Sequence, residues 1–175
     1  MQRKLALTFS LVFTFGIAVG AVAGRKGIDS SLYRAKAKKE AGQALLVVAK
    51  QQAGRGSWEQ IAVGRVYYLG GMKAEGQAIF DAVTAKKPES SDWFRIGRVY
   101  REAGEWAKAQ EAFDKALKME PDEAKWLAEV GAYYLAKGDR DKAEELFDRS
   151  FKEQDDEVWS TVNVAAGYLG VEPLE

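Results

Sequence analysis

"DWFRIGRVYREAGEWAKAQEAFDKALKMEP", residues 92–121, decides how the rest of the chain is read. Its apolar side chains follow a helical period, yet Gly97 and Gly104 stand seven residues apart within it. Glycine in a helix interior costs about 1 kcal/mol relative to alanine, so two of them require a reason. Alignment of the chain with itself supplies one. Gly64, Gly97 and Gly131 recur at separations of 33 and 34 residues. So do Tyr67, Tyr100 and Tyr134, then Gly71, Gly104 and Gly138, then Phe80, Phe113 and Phe147. Four columns, each of one residue type, holding one register over three copies define a repeat.

The second copy reads Trp93-x-x-Ile96-Gly97-x-x-Tyr100-x-x-x-Gly104-x-Trp106-x-x-Ala109-x-x-x-Phe113-x-x-Ala116-x-x-x-x-Pro121. This pattern resembles the tetratricopeptide repeat (TPR), a helix–turn–helix unit of about 34 residues. Each position has a packing role. Gly97 removes a side chain where the first helix approaches its partner, and Gly104 follows that helix where a left-handed cap favours glycine. Ala109 is small at the crossing on the second helix, Phe113 fills the space between helices, and Ala116 admits the next repeat. Pro121 stops the second helix.

The register sets the expected organisation: an all-α solenoid of three helix–turn–helix repeats, residues 57–89, 90–123 and 124–157, followed by a capping helix and tail, 158–175. The first copy puts Gly76 in the Ala109 column, and the third puts Ser150 in the Ala116 column and Asp155 in place of the proline. Val164, Ala165 and Tyr168 continue the columns of Ile96, Gly97 and Tyr100, so residues 158–169 read as the first helix of a truncated fourth unit. Val158, Trp159, Val162, Ala165, Ala166 and Leu169 form a stripe at helical spacing, expected to cover the last hydrophobic face, as open repeat stacks require. Gly170 and Pro173 end that helix. Upstream, Gly42, Leu46 and Ala49 match the Ala109, Phe113 and Ala116 columns, and residues 31–53 are predicted as one helix packing on the first full repeat.

Residues 5–24, "LALTFSLVFTFGIAVGAVAG", carry no charge over twenty positions. Twenty helical residues span about 30 Å, the thickness of a bilayer core, so residues 1–24 read as a basic N-terminus with a transmembrane or signal segment. As a signal peptide, the segment would be cut near Ala21-Val22-Ala23. As an anchor, it would present Gly16, Gly20 and Gly24 as a close-packing face for another transmembrane helix. The anchor is the preferred expectation, because an export signal has an apolar region of only about 7–15 residues. Residues 25–56 then form a basic juxtamembrane linker and connecting helix. Counting cations places the repeats in the cytoplasm. The layout resembles that of bacterial proteins with an anchor followed by TPRs, which implies a periplasmic location, the preferred expectation.

Composition narrows the function. Lys+Arg and Asp+Glu balance at 26 each, but their distribution is polar. Residues 25–55 hold eight cations against two acids, a net of +6, and residues 102–175 hold nine against nineteen, a net of −10. There is no cysteine and no histidine, which removes thiol chemistry, the usual zinc ligands and a Ser–His–Asp triad. No phosphate-binding glycine loop occurs. No catalytic group, cofactor or metal site is expected, and no nucleic-acid signature is present; the basic cluster suits anionic headgroups instead.

The resemblance implies a scaffold whose first helices line a groove for a segment of a partner protein. The register places Trp58, Ile61, Arg65 and Tyr68 there from the first copy, Phe94, Arg98 and Arg101 from the second, and Lys125, Ala128 and Ala132 from the third. Arg65 and Arg98 share a column and are expected to be neighbours, each able to take a partner carboxylate; the alternative pairs Arg98 with Glu102 on its own helix. TPR proteins that clamp a chaperone's C-terminal carboxylate use a Lys and an Asn where this chain has Ile61/Arg65 and Phe94/Arg98, which argues against that ligand. The expected function is a membrane-anchored adaptor that assembles membrane or envelope proteins, with homo-oligomers or hetero-complexes both open. The other reading is a permanent accessory subunit of one membrane complex, held by its transmembrane helix as well as its repeats.

Overall fold

The computed structural model describes residues 28–173, and they fold as an all-α, TPR-like solenoid. The elements are α1 (Lys38–Ala53), α2 (Ser57–Leu69), α3 (Lys73–Thr84), α4 (Ser90–Glu102), α5 (Trp106–Met119), α6 (Ala124–Ala136), α7 (Arg140–Glu153) and α8 (Val158–Leu169). Helices α2/α3, α4/α5 and α6/α7 are the three repeat pairs. The segment carrying Gly16, Gly20 and Gly24 lies outside the described residues. Among the described residues, no helix is long and apolar enough to cross a membrane.

The glycine and phenylalanine columns meet in space. A Cβ on Gly97 would lie 2.6 Å from Phe113 Cε1, and one on Gly64 or Gly131 would lie 2.5 Å from the matching carbon of Phe80 or Phe147. No heavier residue fits beside the ring. The other glycine column closes each first helix: Gly104 adopts φ +76°, and the Glu105 amide returns to the Tyr100 carbonyl at 2.8 Å. This satisfies a carbonyl that the helix end leaves without a partner.

The core runs through the stack. Phe94 packs against Phe113 at a ring separation of 5.2 Å and against Trp126 at 4.5 Å. Phe113 stacks in turn on Tyr133 at 5.6 Å. A smaller cluster of Leu46, Ala53, Val63 and Ile79 seats α1 on the first repeat.

A polar rung repeats where a second helix meets the next first helix at α3/α4, α5/α6 and α7/α8. Gln77 Nε2 on α3 donates to the Tyr100 hydroxyl on α4 at 2.8 Å, and Gln110 on α5 does so to Tyr134 on α6 at 3.2 Å. The Tyr168 hydroxyl on α8 donates to Glu144 on α7 at 2.9 Å. Gln77, Gln110 and Glu144 form one column, and Gln43 on α1 continues it upstream.

Three expectations are corrected. The predicted helix over 31–53 is broken: a 3₁₀ turn at Ser30–Leu32 precedes α1, and Ala35 adopts φ +57°, which a continuous helix excludes. Gly42 does not mark a close approach, since a Cβ there would meet nothing within 4 Å. The apolar stripe of α8 does not cover the third repeat. α8 instead buries Ser160 and Asn163 and crosses α6 at Gly167, where a Cβ would come within 2.9 Å of Ala132 Cβ. Small residues let those backbones approach, and that rotation leaves Val158, Trp159, Val162 and Leu169 in solvent.

Candidate protein-binding groove

The groove face is built from the first helices, α2, α4 and α6. Of the expected lining residues, Tyr68 and Phe94 are buried in the core, as are Ala128 and Ala132, while Ile61 is buried and also lines the α2/α4 cavity. They share a column spacing with surface positions, but each points between helices, where an apolar side chain is retained by burial. Trp58 and Arg65 remain on the surface, with Trp58 52% exposed.

Between α2 and α4 lies a shallow cavity of about 120 Å³ bounded by Trp58, Arg65, Arg95, Arg98, Val99 and Glu102, among others. Arg65 and Arg98 are thus brought together as expected. Their partners are not the expected ones. Arg65 grips Glu102 with two hydrogen bonds, the one from Nε measuring 2.7 Å. Arg98 grips Glu129 of α6 with two more, at 2.7 and 2.6 Å, instead of Glu102 on its own helix. Each guanidinium therefore reaches across to the next first helix, in the paired geometry that makes arginine–carboxylate contacts strong. Glu129 is only 2% exposed and also accepts from the Tyr133 hydroxyl at 2.6 Å. Burial foremost, and then the Glu129 carboxylate, hold the Tyr133 phenol above its ordinary pKa.

Arg95 was not anticipated from the sequence. Its guanidinium lies 3.7 Å from the Trp58 ring centroid, and the Trp58 indole nitrogen donates to Ser91 at 3.4 Å. These contacts hold the indole upright at the rim. The available signal was i, i+4 spacing: Ser91 and Arg95 share one face of α4, one repeat away from Trp58.

The chain itself bridges the third-repeat portion of the face. Arg101 lies 4.3 Å from the Tyr133 ring centroid and pairs with Glu172, beyond α8, at 2.6 Å. Lys125 faces Glu157 at 3.5 Å. Beside these contacts a cavity of about 380 Å³ remains, lined by Arg101, Ala132, Tyr133 and the residues that follow α8, whereas the α2/α4 portion is bounded by first helices alone.

Beneath the groove, Glu105 joins the first two repeats. It accepts from the Tyr68 hydroxyl at 2.7 Å and pairs with Lys73 at 2.6 Å and Lys108 at 2.7 Å. The Lys108 ammonium first, and then Lys73 and Tyr68, hold its carboxyl down to about 2. Lys108 is correspondingly raised, through Glu105 and then Tyr68. Among the described residues no group of three or more acids is placed to hold a metal ion.

This arrangement agrees with what the chain is similar to. Residues 94–156, from the first helix of the second repeat to the end of the third, match the family described as Tetratricopeptide repeat. The fold matches the crystal structure of MamA with a TM-score of 0.52 at 16% identity, over 75% of this chain and 77% of that one. No curated protein matches the chain in sequence. TPR units in general carry protein–protein contacts, and the class that the fold defines here is an all-α, TPR-like solenoid.

Proposed function

We propose that this protein is a membrane-anchored scaffold that holds a segment of another protein in the open α2/α4 groove. The observation that carries the reading is Trp58, a large aromatic kept half in solvent by Arg95 stacked on its ring. Tryptophan and arginine dominate binding energy at interfaces because they supply large contact area and directed hydrogen bonds. Arg65, on the open side, can exchange Glu102 for a partner's carboxylate, whereas Arg98 is committed to buried Glu129. The anchor in this proposal is residues 5–24, and the repeats lie on the periplasmic side.

The test is a photo-reactive residue at Ala62, which is exposed and lines the cavity, against one at Lys118, exposed on α5. A discrete adduct from position 62, lost on Arg65→Glu, is expected. Identical labelling from both positions would remove the groove from consideration. Alkaline extraction of membranes, with mass determination of the mature N-terminus, checks the anchor separately. The second reading, a permanent subunit of one complex, is favoured by the Gly16/Gly20/Gly24 spacing and requires co-purification at fixed stoichiometry.

A further inference from the structure

The solenoid starts and finishes on complementary halves of one unit. Among the described residues, α8 is a first helix with no second helix of its own following it, and α1 is a second helix with no first helix of its own before it. On α8, columns that are buried in the complete pairs stand in solvent. Val162 follows Ile61, Phe94 and Ala128, and Ala165 follows Gly64, Gly97 and Gly131; both are exposed. Leu169, in the column of buried Tyr68 and half-buried Arg101 and Leu135, is 78% exposed. On α1, Leu45 and Ala49 are half-buried, although Ile79 and Val83 in the same columns are buried.

Gly42 is the decisive position. In its column Gly76 is required, because a Cβ there would lie 2.7 Å from the Gly64 carbonyl oxygen and 2.8 Å from Tyr68 Cβ. Ala109 and Ala143, also in that column, are fully buried. Among the described residues Gly42 has open space around it, so they give no reason for a residue that weakens the helix by about 1 kcal/mol.

We infer that α1 of one copy docks on the outward face of α8 of another, closing a complete helix pair between two chains. In this pairing Gly42 meets Ala165 and Leu169 of the second copy, as Gly76 meets Gly64 and Tyr68. Charge agrees with the orientation. Within a repeat the end of the second helix lies beside the start of the first, as Lys115 over Trp93 at 4.3 Å shows. The docked α1 thus brings Lys50 and Arg55 to Asp155 and Asp156, which precede α8. More broadly, residues 139–157 hold nine acids against four cations, opposite to the +6 of residues 25–55. The contact is heterologous, so chains add head to tail unless the rotation closes a ring. It uses none of the residues that line the Trp58 cavity, and its failure leaves the groove proposal standing.

The chain has no cysteine, so Gly42→Cys and Leu169→Cys in the full chain report the contact directly. α1 and α8 make no contact within one chain, and a disulfide needs Cβ atoms about 3.8 Å apart. Mixing the two single variants should give a disulfide-linked dimer about tenfold more abundant than either variant gives alone, an equilibrium difference of about 1.4 kcal/mol. The double variant should give a ladder, and Val162→Glu should abolish the excess. Sedimentation of the unsubstituted chain should show a concentration-dependent series that shortens in high salt, and the same series should be absent in Val162→Glu. Leu169→Cys chains that pair with each other as readily as with Gly42→Cys chains would overturn the inference, as would a mixed dimer indifferent to Val162→Glu. A strictly monomeric unsubstituted chain would do the same, and would leave α8 to a different protein or to residues 5–24.

Discussion

Arg98 on α4 and Glu129 on α6 are joined by two parallel hydrogen bonds of 2.7 and 2.6 Å, and the carboxylate has almost no contact with solvent. Removing one partner of a buried pair leaves an uncompensated charge, at a cost of about 3–5 kcal/mol. Arg98→Ala should therefore lower the stability by about 3 kcal/mol in a urea titration at neutral pH. Arg65→Ala, at a side chain that is 47% exposed, should cost no more than about 1 kcal/mol. Equal losses would mean that burial does not distinguish the two pairs. The contrast also makes Arg65, and not Arg98, the arginine with which to probe partner binding.

Glycines of the two kinds should respond in opposite directions. Gly97→Leu drives a side chain into Phe113 and should cost about 1–3 kcal/mol through overpacking. Gly42→Ala meets nothing and should stabilise the dilute chain by up to about 1 kcal/mol through helix propensity. Thermal unfolding of both at low protein concentration checks the signs.

Acid stability should depend on Glu105. Its carboxyl is held at about 2 in the folded chain, below the ordinary value of 4.5, so the folded state favours the ionised form. That contribution is complete above the ordinary value and disappears as pH falls from there towards 2. Lys108 has the opposite sign: its raised pKa adds stability that is present below the ordinary lysine value and lost in alkali above it. Glu105→Gln should flatten the acid limb of melting temperature against pH. An unchanged slope would assign acid unfolding to other carboxylates.

Each tyrosine rung should contribute about 1 kcal/mol, the net worth of a typical hydrogen bond. Tyr100→Phe and Tyr134→Phe, one repeat apart, should lower stability additively. A double-mutant cycle gives the coupling, and a large coupling would show that the rungs act as one network.

The periodic parts of the fold were legible because steric rules act at fixed spacing. Gly97 against Phe113 and Gly104 at its left-handed turn follow from the columns, with no knowledge of coordinates. The site was less legible. Column position told which helix Tyr68 and Phe94 belong to, but a rotation of a few tens of degrees decides whether such a residue faces groove or core. Ion-pair choice was illegible for a different reason. Arg98 has a carboxylate four residues away at Glu102, yet it takes Glu129, because packing brings α6 alongside, and distance through space outranks distance along the chain. The face of α8 failed similarly: the stripe was visible, but Gly167 against Ala132 determines which side turns inward.

The recurrence of Gln77–Tyr100, Gln110–Tyr134 and Glu144–Tyr168 bears on how such a chain changes length over evolutionary time. Excising residues 90–123 would carry Tyr134 to the place of Tyr100, opposite Gln77, and would set Arg65 where Arg98 had faced Glu129. Both of these contacts would reform with the same residue types at the new seam, so a gene could lose or duplicate a whole segment of this kind and keep the tyrosine rung and the arginine–glutamate pair.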